Sequence, residues 1–138
     1  RGKGKGEFYC VKSIEDVRMI NVVTLAYLGD AIYEVYIRES LIQLGIAHVE
    51  ELQKRAVLYV SAKGQASLLK KLLEENKLTE EEIEIVKRGR NYKRSSHPKH
   101  TDILTYKLST GFEALVGYLY LSKKEDRLRE IFSNIEVK

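Results

Sequence analysis

Proline occurs once in the 138 residues, at Pro98. A chain that almost never breaks its own backbone donors is free to form long helices. Helix-period apolar segments fill most of its length, so the expected fold is all-α, a helical bundle. The longest such segment runs from Ile20 to Ile37. Its centre is Leu25-Ala26-Tyr27-Leu28-Gly29-Asp30-Ala31-Ile32-Tyr33-Glu34. Asp30 is the polar exception on what reads as its inner side. A carboxylate among apolar side chains must be paired or lose its charge. Gly29 costs about 1 kcal/mol relative to alanine inside a helix. Close approach by a second helix is the simplest compensation.

A second segment has the same character: Ser109-Thr110-Gly111-Phe112-Glu113-Ala114-Leu115-Val116-Gly117-Tyr118. Glu113 is as isolated there as Asp30 is in the first. Asp30 has Ala26 and Glu34 one turn away, and Glu113 has Thr110 and Gly117 near it on one stripe. Small residues beside both acids leave room for a ligand. Two lone carboxylates suit a divalent cation that keeps waters and takes substrate phosphates as further ligands. The competing reading is a pair of buried acids satisfied by Lys or Arg. Glu34 is a third candidate, but Arg38 stands at i,i+4 and is the expected partner.

The remaining elements follow from periodicity and caps. Ser13 can cap a short first helix with Glu15 and Asp16 in its first turn. The long helix is expected from Asn21 to Leu44, with Leu25, Leu28, Ile32, Val35 and Tyr36 inward and Gly45 ending it. Further helices are expected from Val49 to Val60, with Leu52, Ala56 and Tyr59 on one stripe, and from Ser61 to about Asn76. Leu68, Leu69, Leu72 and Leu73 lie inside the latter. Thr79 to Glu82 form a capping box opening a helix that fails near Gly89. Thr101 or Asp102 caps a helix to about Leu121, with Leu104, Leu108, Leu115 and Leu119 in the core. A last helix spans Asp126 to Ile135. Tyr27, Tyr33, Tyr36, Tyr59 and Tyr118 are core tyrosines by spacing. Residues 1–12 read as a flexible basic arm and 13–138 as one domain, in line with the length prior.

Charge is segregated. Lys87 to Lys107 holds seven Lys and Arg (Lys87, Arg88, Arg90, Lys93, Arg94, Lys99, Lys107) against Asp102. Glu74 to Glu84 holds six Glu against Lys77. With a net charge of +4, this suggests a surface that meets phosphates in one place and avoids them in another. The stretch from Asn91 to His100 is the expected long basic loop. His97 and His100 have no Cys or HExxH companion, so a solvated or phosphate-contacting role outweighs zinc. Tyr92 suits stacking or a loop anchor equally. The single cysteine, Cys10, excludes an internal disulfide and a cysteine zinc site, and suits a reducing cytoplasm. No apolar run is long enough to span a membrane, and none forms a leader.

Leu25 to Ala31 resembles the signature helix of the ribonuclease III endonuclease domain. Thr110 to Gly117 resembles its second catalytic helix. The resemblance runs from about Val17 to Phe132 and leaves no stretch for a following double-stranded-RNA-binding domain. That pattern, with Lys87 to Asn91 and the Thr101-Asp102 helix start, is similar to the short branch of the family, Mini-ribonuclease III. Three positions depart from the ordinary enzyme. Val23 and Ala26 stand where it has glutamates, and Thr110 where it has an aspartate.

The resemblance implies a metal-dependent endoribonuclease that cleaves double-stranded RNA. Asp30 and Glu113 would be the catalytic and metal-holding residues, with Mg²⁺ as cofactor and Mn²⁺ as a substitute. It further implies a homodimer with two facing sites, products with 5′-phosphate and 3′-hydroxyl ends, and a part in maturing large-subunit (23S) ribosomal RNA. Arg88, Arg90, Asn91, Lys93, Arg94, Lys99 and His100 are the expected RNA-binding set. The alternatives are a non-catalytic module of the same fold that binds double-stranded RNA, and a helical dimerisation scaffold.

Overall fold

The structure, a computed structural model, describes residues 14–93 and 99–138. Its secondary structure is helical throughout the described residues, as expected. In chain order the helices are α1 (Ile14–Arg18), α2 (Val22–Gln43), α3 (Val49–Val60), α4 (Ala62–Glu74), α5 (Glu80–Arg90), α6 (Ile103–Leu121) and α7 (Glu125–Phe132). The expected arm, the Ser13 cap, Cys10, Arg94 and His97 lie outside the described residues.

Local chemistry sets most boundaries. Asn21 opens α2, its side-chain oxygen accepting from the Val23 N–H at 2.8 Å. Gly45 follows with φ +93°, a conformation that costs other residues dearly. Thr79 and Glu82 form the reciprocal capping box of α5. Asp102, rather than Thr101, caps α6 and accepts from the Thr105 N–H at 2.9 Å. That bond holds the Asp102 carboxyl below its usual pKa. The final helix begins at Glu125 and stops at Phe132, three residues short of the expected end.

Helix α6 is the axis of the bundle. Between Leu108 and Leu119 every residue except Glu113 is buried. It packs against α2, α4, α5, α7 and α1. Tyr33 of α2 meets Phe112 of α6 edge-on, ring centroids 5.0 Å apart, and also packs on Phe132. A helix buried around most of its surface must be apolar on nearly every face, and the composition of α6 answers to this.

The inward face of α2 is Val22, Leu25, Ala26, Gly29, Tyr33, Ile37 and Leu41. It is rotated from the expected stripe: Leu28, Ile32 and Tyr36 are half-buried and Val35 is exposed. The strip of small residues, Ala26 and Gly29, admits a neighbouring backbone more closely than the leucines would, and this sets the rotation. Tyr27 is 83% exposed, not in the core. Leu73 and Leu104 are exposed as well, each near the end of its helix where the packing partner has run out. Helix α5 ends at Arg90, beside Gly89 as expected, and Gly89 is buried there, where a Cβ would sit 2.8 Å from the Gly111 Cα of α6.

Candidate active site

The two glycine-bearing helices cross with their backbones in contact. A Cβ on Gly29 would stand 1.8 Å from the Glu113 carbonyl oxygen and 2.8 Å from the Gly117 nitrogen. A Cβ on Gly117 would stand 2.0 Å from the Leu25 carbonyl oxygen. The cost of Gly29 in a helix is thus offset by the approach that was expected of it. The crossing places Asp30, the next residue, beside the stretch of α6 that carries Glu113.

Asp30 is exposed, which corrects the inward reading of that residue. Gly29 is the residue that faces inward, and Asp30 follows it by a turn of about 100° around the helix. Glu113 is half-buried, and Thr110 is buried. Of the positions without an acid, Val23 is half-buried and Ala26 buried. Asp30 enters no ion pair among the described residues. Being exposed, it needs no buried cation to satisfy it. Glu34 pairs with Arg38 at 2.8 Å, as its i,i+4 spacing suggests. No cluster of three or more metal-ligating side chains is present among the described residues. Two hard carboxylate donors at an open helix crossing fit a cation of the Mg²⁺ type, which retains several waters.

A second glycine contact, between Gly89 and Gly111, docks the basic end of α5 on the other side of α6. Gly89 also lies against the Thr110 carbonyl, one turn before Glu113. The expected RNA-binding residues here fall into two groups. Lys93, Lys99 and His100 are exposed, as is Asn91, the C-cap of α5. Arg90 is half-buried, with its Nε 3.4 Å from the Asn91 side-chain oxygen. Arg88 is engaged within the fold. Its guanidinium donates to the Arg18 and Ile20 carbonyls at 3.0 and 3.2 Å and closes the turn between α1 and α2.

Periodicity did not reveal the polar framework behind the site. Tyr118, buried on α6, donates to Glu81 at 2.8 Å, and Arg18 of α1 pairs with the same carboxylate. The Tyr118 hydroxyl, and then Arg18, hold the Glu81 carboxyl below its usual pKa. Arg127 of α7 grips both oxygens of Glu82 at 2.7 Å and the Lys77 carbonyl at 2.7 Å. The only sequence signal was the run of glutamates at the start of α5, which reads first as helix capping.

A family model described as the Ribonuclease III domain matches residues 23–124. Among curated proteins, the chain is 47% identical over 120 residues to Mini-ribonuclease 3 of Enterococcus faecalis, covering 87% of this chain and 91% of that one. It is 50% identical over 109 residues to Mini-ribonuclease 3 of Symbiobacterium thermophilum, covering 79% and 82%. A crystal structure of a protein from Fusobacterium nucleatum superposes with a TM-score of 0.75 at 36% identity, covering 86% of this chain and 93% of that one.

Proposed function

This chain belongs to the ribonuclease III family and is an endoribonuclease, and from that premise we propose that it hydrolyses double-stranded RNA with a divalent cation held by Asp30 and Glu113. The observation that carries the proposal is the Gly29–Gly117 crossing. It sets the backbone of Gly29, next to the exposed Asp30, against the backbone of the half-buried Glu113, from two helices far apart in sequence. Such a cation, when bound, lowers the pKa of water and neutralises charge developing on the phosphate. Mg²⁺ is the natural occupant, and Mn²⁺ a substitute, because both donors are hard oxygens.

The reaction is a displacement at phosphorus. The oxygen of a water bonds to the phosphorus and the bond to the ribose 3′ oxygen breaks. The products carry a 5′-phosphate and a 3′-hydroxyl. No side-chain nucleophile takes part. Asp30 and Glu113 fix the place of attack, while the basic end of α5 and the segment after it, with Arg90, Asn91, Lys93, Arg94, Lys99 and His100, meet the RNA backbone. A-form duplex is read by its shape, phosphates and 2′-hydroxyls rather than its base edges.

The active form is a homodimer with two sites facing one duplex. Tyr27, Val35 and Ile42 are large apolar side chains of α2 open to solvent, and exposed apolar surface of this kind suits a partner. The substrate is a ribosomal RNA precursor of the large subunit (23S), and the setting is the cytoplasm. No helix among the described residues is long and apolar enough to cross a membrane. These assignments are what the resemblance to the short branch of the family implies.

The test is incubation of purified protein with duplex RNA, with Mg²⁺, with Mn²⁺ and with chelator. Cleavage should require the cation. Asp30→Asn should lose cleavage while keeping its fold and most of its RNA affinity. Wild-type turnover by that variant would overturn the assignment.

A further inference from the structure

Thr110 lies on the same stripe of α6 as Glu113 and Gly117, at i, i+3 and i+7. Gly117 fixes which way that stripe faces, because its backbone touches Leu25 of α2. The Thr110 side chain is therefore on the α2-facing side, one turn before Glu113. It is 5% exposed.

The hydroxyl of Thr110 donates to the Tyr106 carbonyl at 3.0 Å. A hydroxyl has one proton and two acceptor lone pairs. With its proton committed to the helix backbone, Thr110 meets the site as an acceptor only. That is also the hydrogen-bonding character of a carboxylate, without its charge. A cation held by only two carboxylates keeps several waters, and each of those waters needs an acceptor for its protons.

Resting on the reading of Asp30 and Glu113 as the cation's holders, we propose that Thr110 is a positioning residue for the cation's water shell. Its hydroxyl oxygen accepts a hydrogen bond from a water of that shell, at the place where the ordinary ribonuclease III pattern puts an aspartate. The chain thus exchanges a charged acceptor for a neutral one. The consequence is a site that orients water well but holds its cation less tightly.

Substitutions at 110 test this without dismantling α6. Ser109 also donates to the Tyr106 carbonyl, at 2.7 Å, so that carbonyl keeps a hydroxyl donor when Thr110 is replaced. Thr110→Val removes the hydroxyl at constant volume, Thr110→Ser keeps it, and Thr110→Asp restores the acid. Two readouts apply: the Mg²⁺ concentration giving half-maximal cleavage, and the shift of the unfolding temperature by Mn²⁺ without RNA.

Loss of such an orienting partner typically weakens metal affinity or activity by about 10–100-fold. Thr110→Val should raise the half-maximal Mg²⁺ concentration on that scale and shrink the Mn²⁺ shift. Thr110→Ser should stay near wild type. Thr110→Asp should lower the requirement and enlarge the shift. Wild-type metal dependence in Thr110→Val would overturn the proposal. So would a serine variant as impaired as the valine one, which would make the methyl group rather than the hydroxyl responsible. If the valine variant does not fold, an aspartate variant with an unchanged Mg²⁺ requirement overturns it instead. Asp30→Asn serves as the control: if it keeps the full Mn²⁺ shift, the carboxylate reading itself fails. If it loses the shift while Thr110→Val does not, only the role of Thr110 fails.

Discussion

Replacing Gly29 with alanine sets two known effects against each other. Alanine favours the helix by about 1 kcal/mol over glycine. Its Cβ would sit 1.8 Å from the Glu113 carbonyl oxygen, on the backbone of a helix that is itself buried. No side-chain rotation relieves that contact, so α2 and α6 must separate by roughly 1.6–2 Å to reach ordinary contact distance. A gap of even ~0.5–1 Å forfeits a quarter to a half of each dispersion contact it opens. The side chains along this crossing include Leu25, Ala26, Tyr33 and Phe112, all buried. Overpacking of a tight core costs about 1–3 kcal/mol and occasionally more. Because the obstruction is backbone, the upper end applies, and after the helix gain a net loss of about 2 kcal/mol is expected. Urea unfolding followed by circular dichroism measures it. Gly117→Ala obstructs the same crossing, so helices already parted by one alanine admit the second at lower cost. The double variant should fall short of the summed losses by about 0.5 kcal/mol or more. A Gly29→Ala protein as stable as wild type, or strict additivity in the double variant, would refute the backbone-contact account.

The structure gives different expectations for neighbouring basic residues. Arg88→Ala should cost about 1–2 kcal/mol of stability, because two bonds to backbone carbonyls disappear, and unfolding measurements will register it. Lys93→Ala and Lys99→Ala should leave stability unchanged and flatten the salt dependence of RNA binding by about 0.9 log–log slope units or less for each phosphate no longer neutralised. A gel-shift series in salt separates the two classes. Tyr27→Asp should break the proposed homodimer: light scattering should move from twice the 15.9 kDa chain mass to that mass, while circular dichroism stays helical. Acid should weaken the Glu82–Arg127 tie. Burial alone would raise the Glu82 pKa, but its bonds to Arg127 and to the Thr79 backbone outweigh that and leave it lowered. A carboxyl depressed in the folded state contributes stability above the unfolded glutamate value of about 4.3, and that contribution is lost as pH falls through the folded value. Unfolding temperature measured against pH should therefore drop below that range, and Glu82→Gln should flatten the drop.

What could be read in advance, and what could not, follows from the range of the forces involved. Caps and periodicity are local, so Asn21, Thr79 with Glu82, and the extents of α2, α3 and α6 were legible in the sequence. The expectation that Gly29 needs a close neighbour was also sound, because the cost of glycine in a helix is intrinsic. The rotation of α2 was not legible. Hydropathy favours turning the large residues Leu28, Ile32 and Val35 inward. The crossing turns Ala26 and Gly29 inward, because only small residues let the α6 backbone approach. That choice depends on Gly117, far along the chain. It carries Asp30 from an apparent inner position to the surface, and Tyr27 with it. Gly89 marks the end of α5 as the sequence suggests, but its contact with Gly111 was not legible, for the same reason.

The charge segregation of α5 also takes on a different meaning once its partners are known. From sequence, the acidic start and basic end look like two solvent faces, one repelling phosphate and one attracting it. In the fold part of the acidic end turns inward: Glu82 is buried and Glu81 half-buried, while Glu80 and Glu84 are exposed. Glu81 is tied to Tyr118 and Arg18, and Glu82 to Arg127, so these two acids join α1, α6 and α7 to α5. Arg88, at the other end, is spent on the α1–α2 turn. What remains outward at the basic end is Lys87, Asn91 and Lys93, next to the Gly89–Gly111 contact. Two of the four acids of α5 are thus tied to arginines of other helices, while Glu80 and Glu84 stay exposed. The exposed Lys87 and Lys93 lie at the opposite end of the helix from these acids. The ties of Glu81 and Glu82 therefore bear on the approach of RNA by holding α5, and with it those lysines, in place.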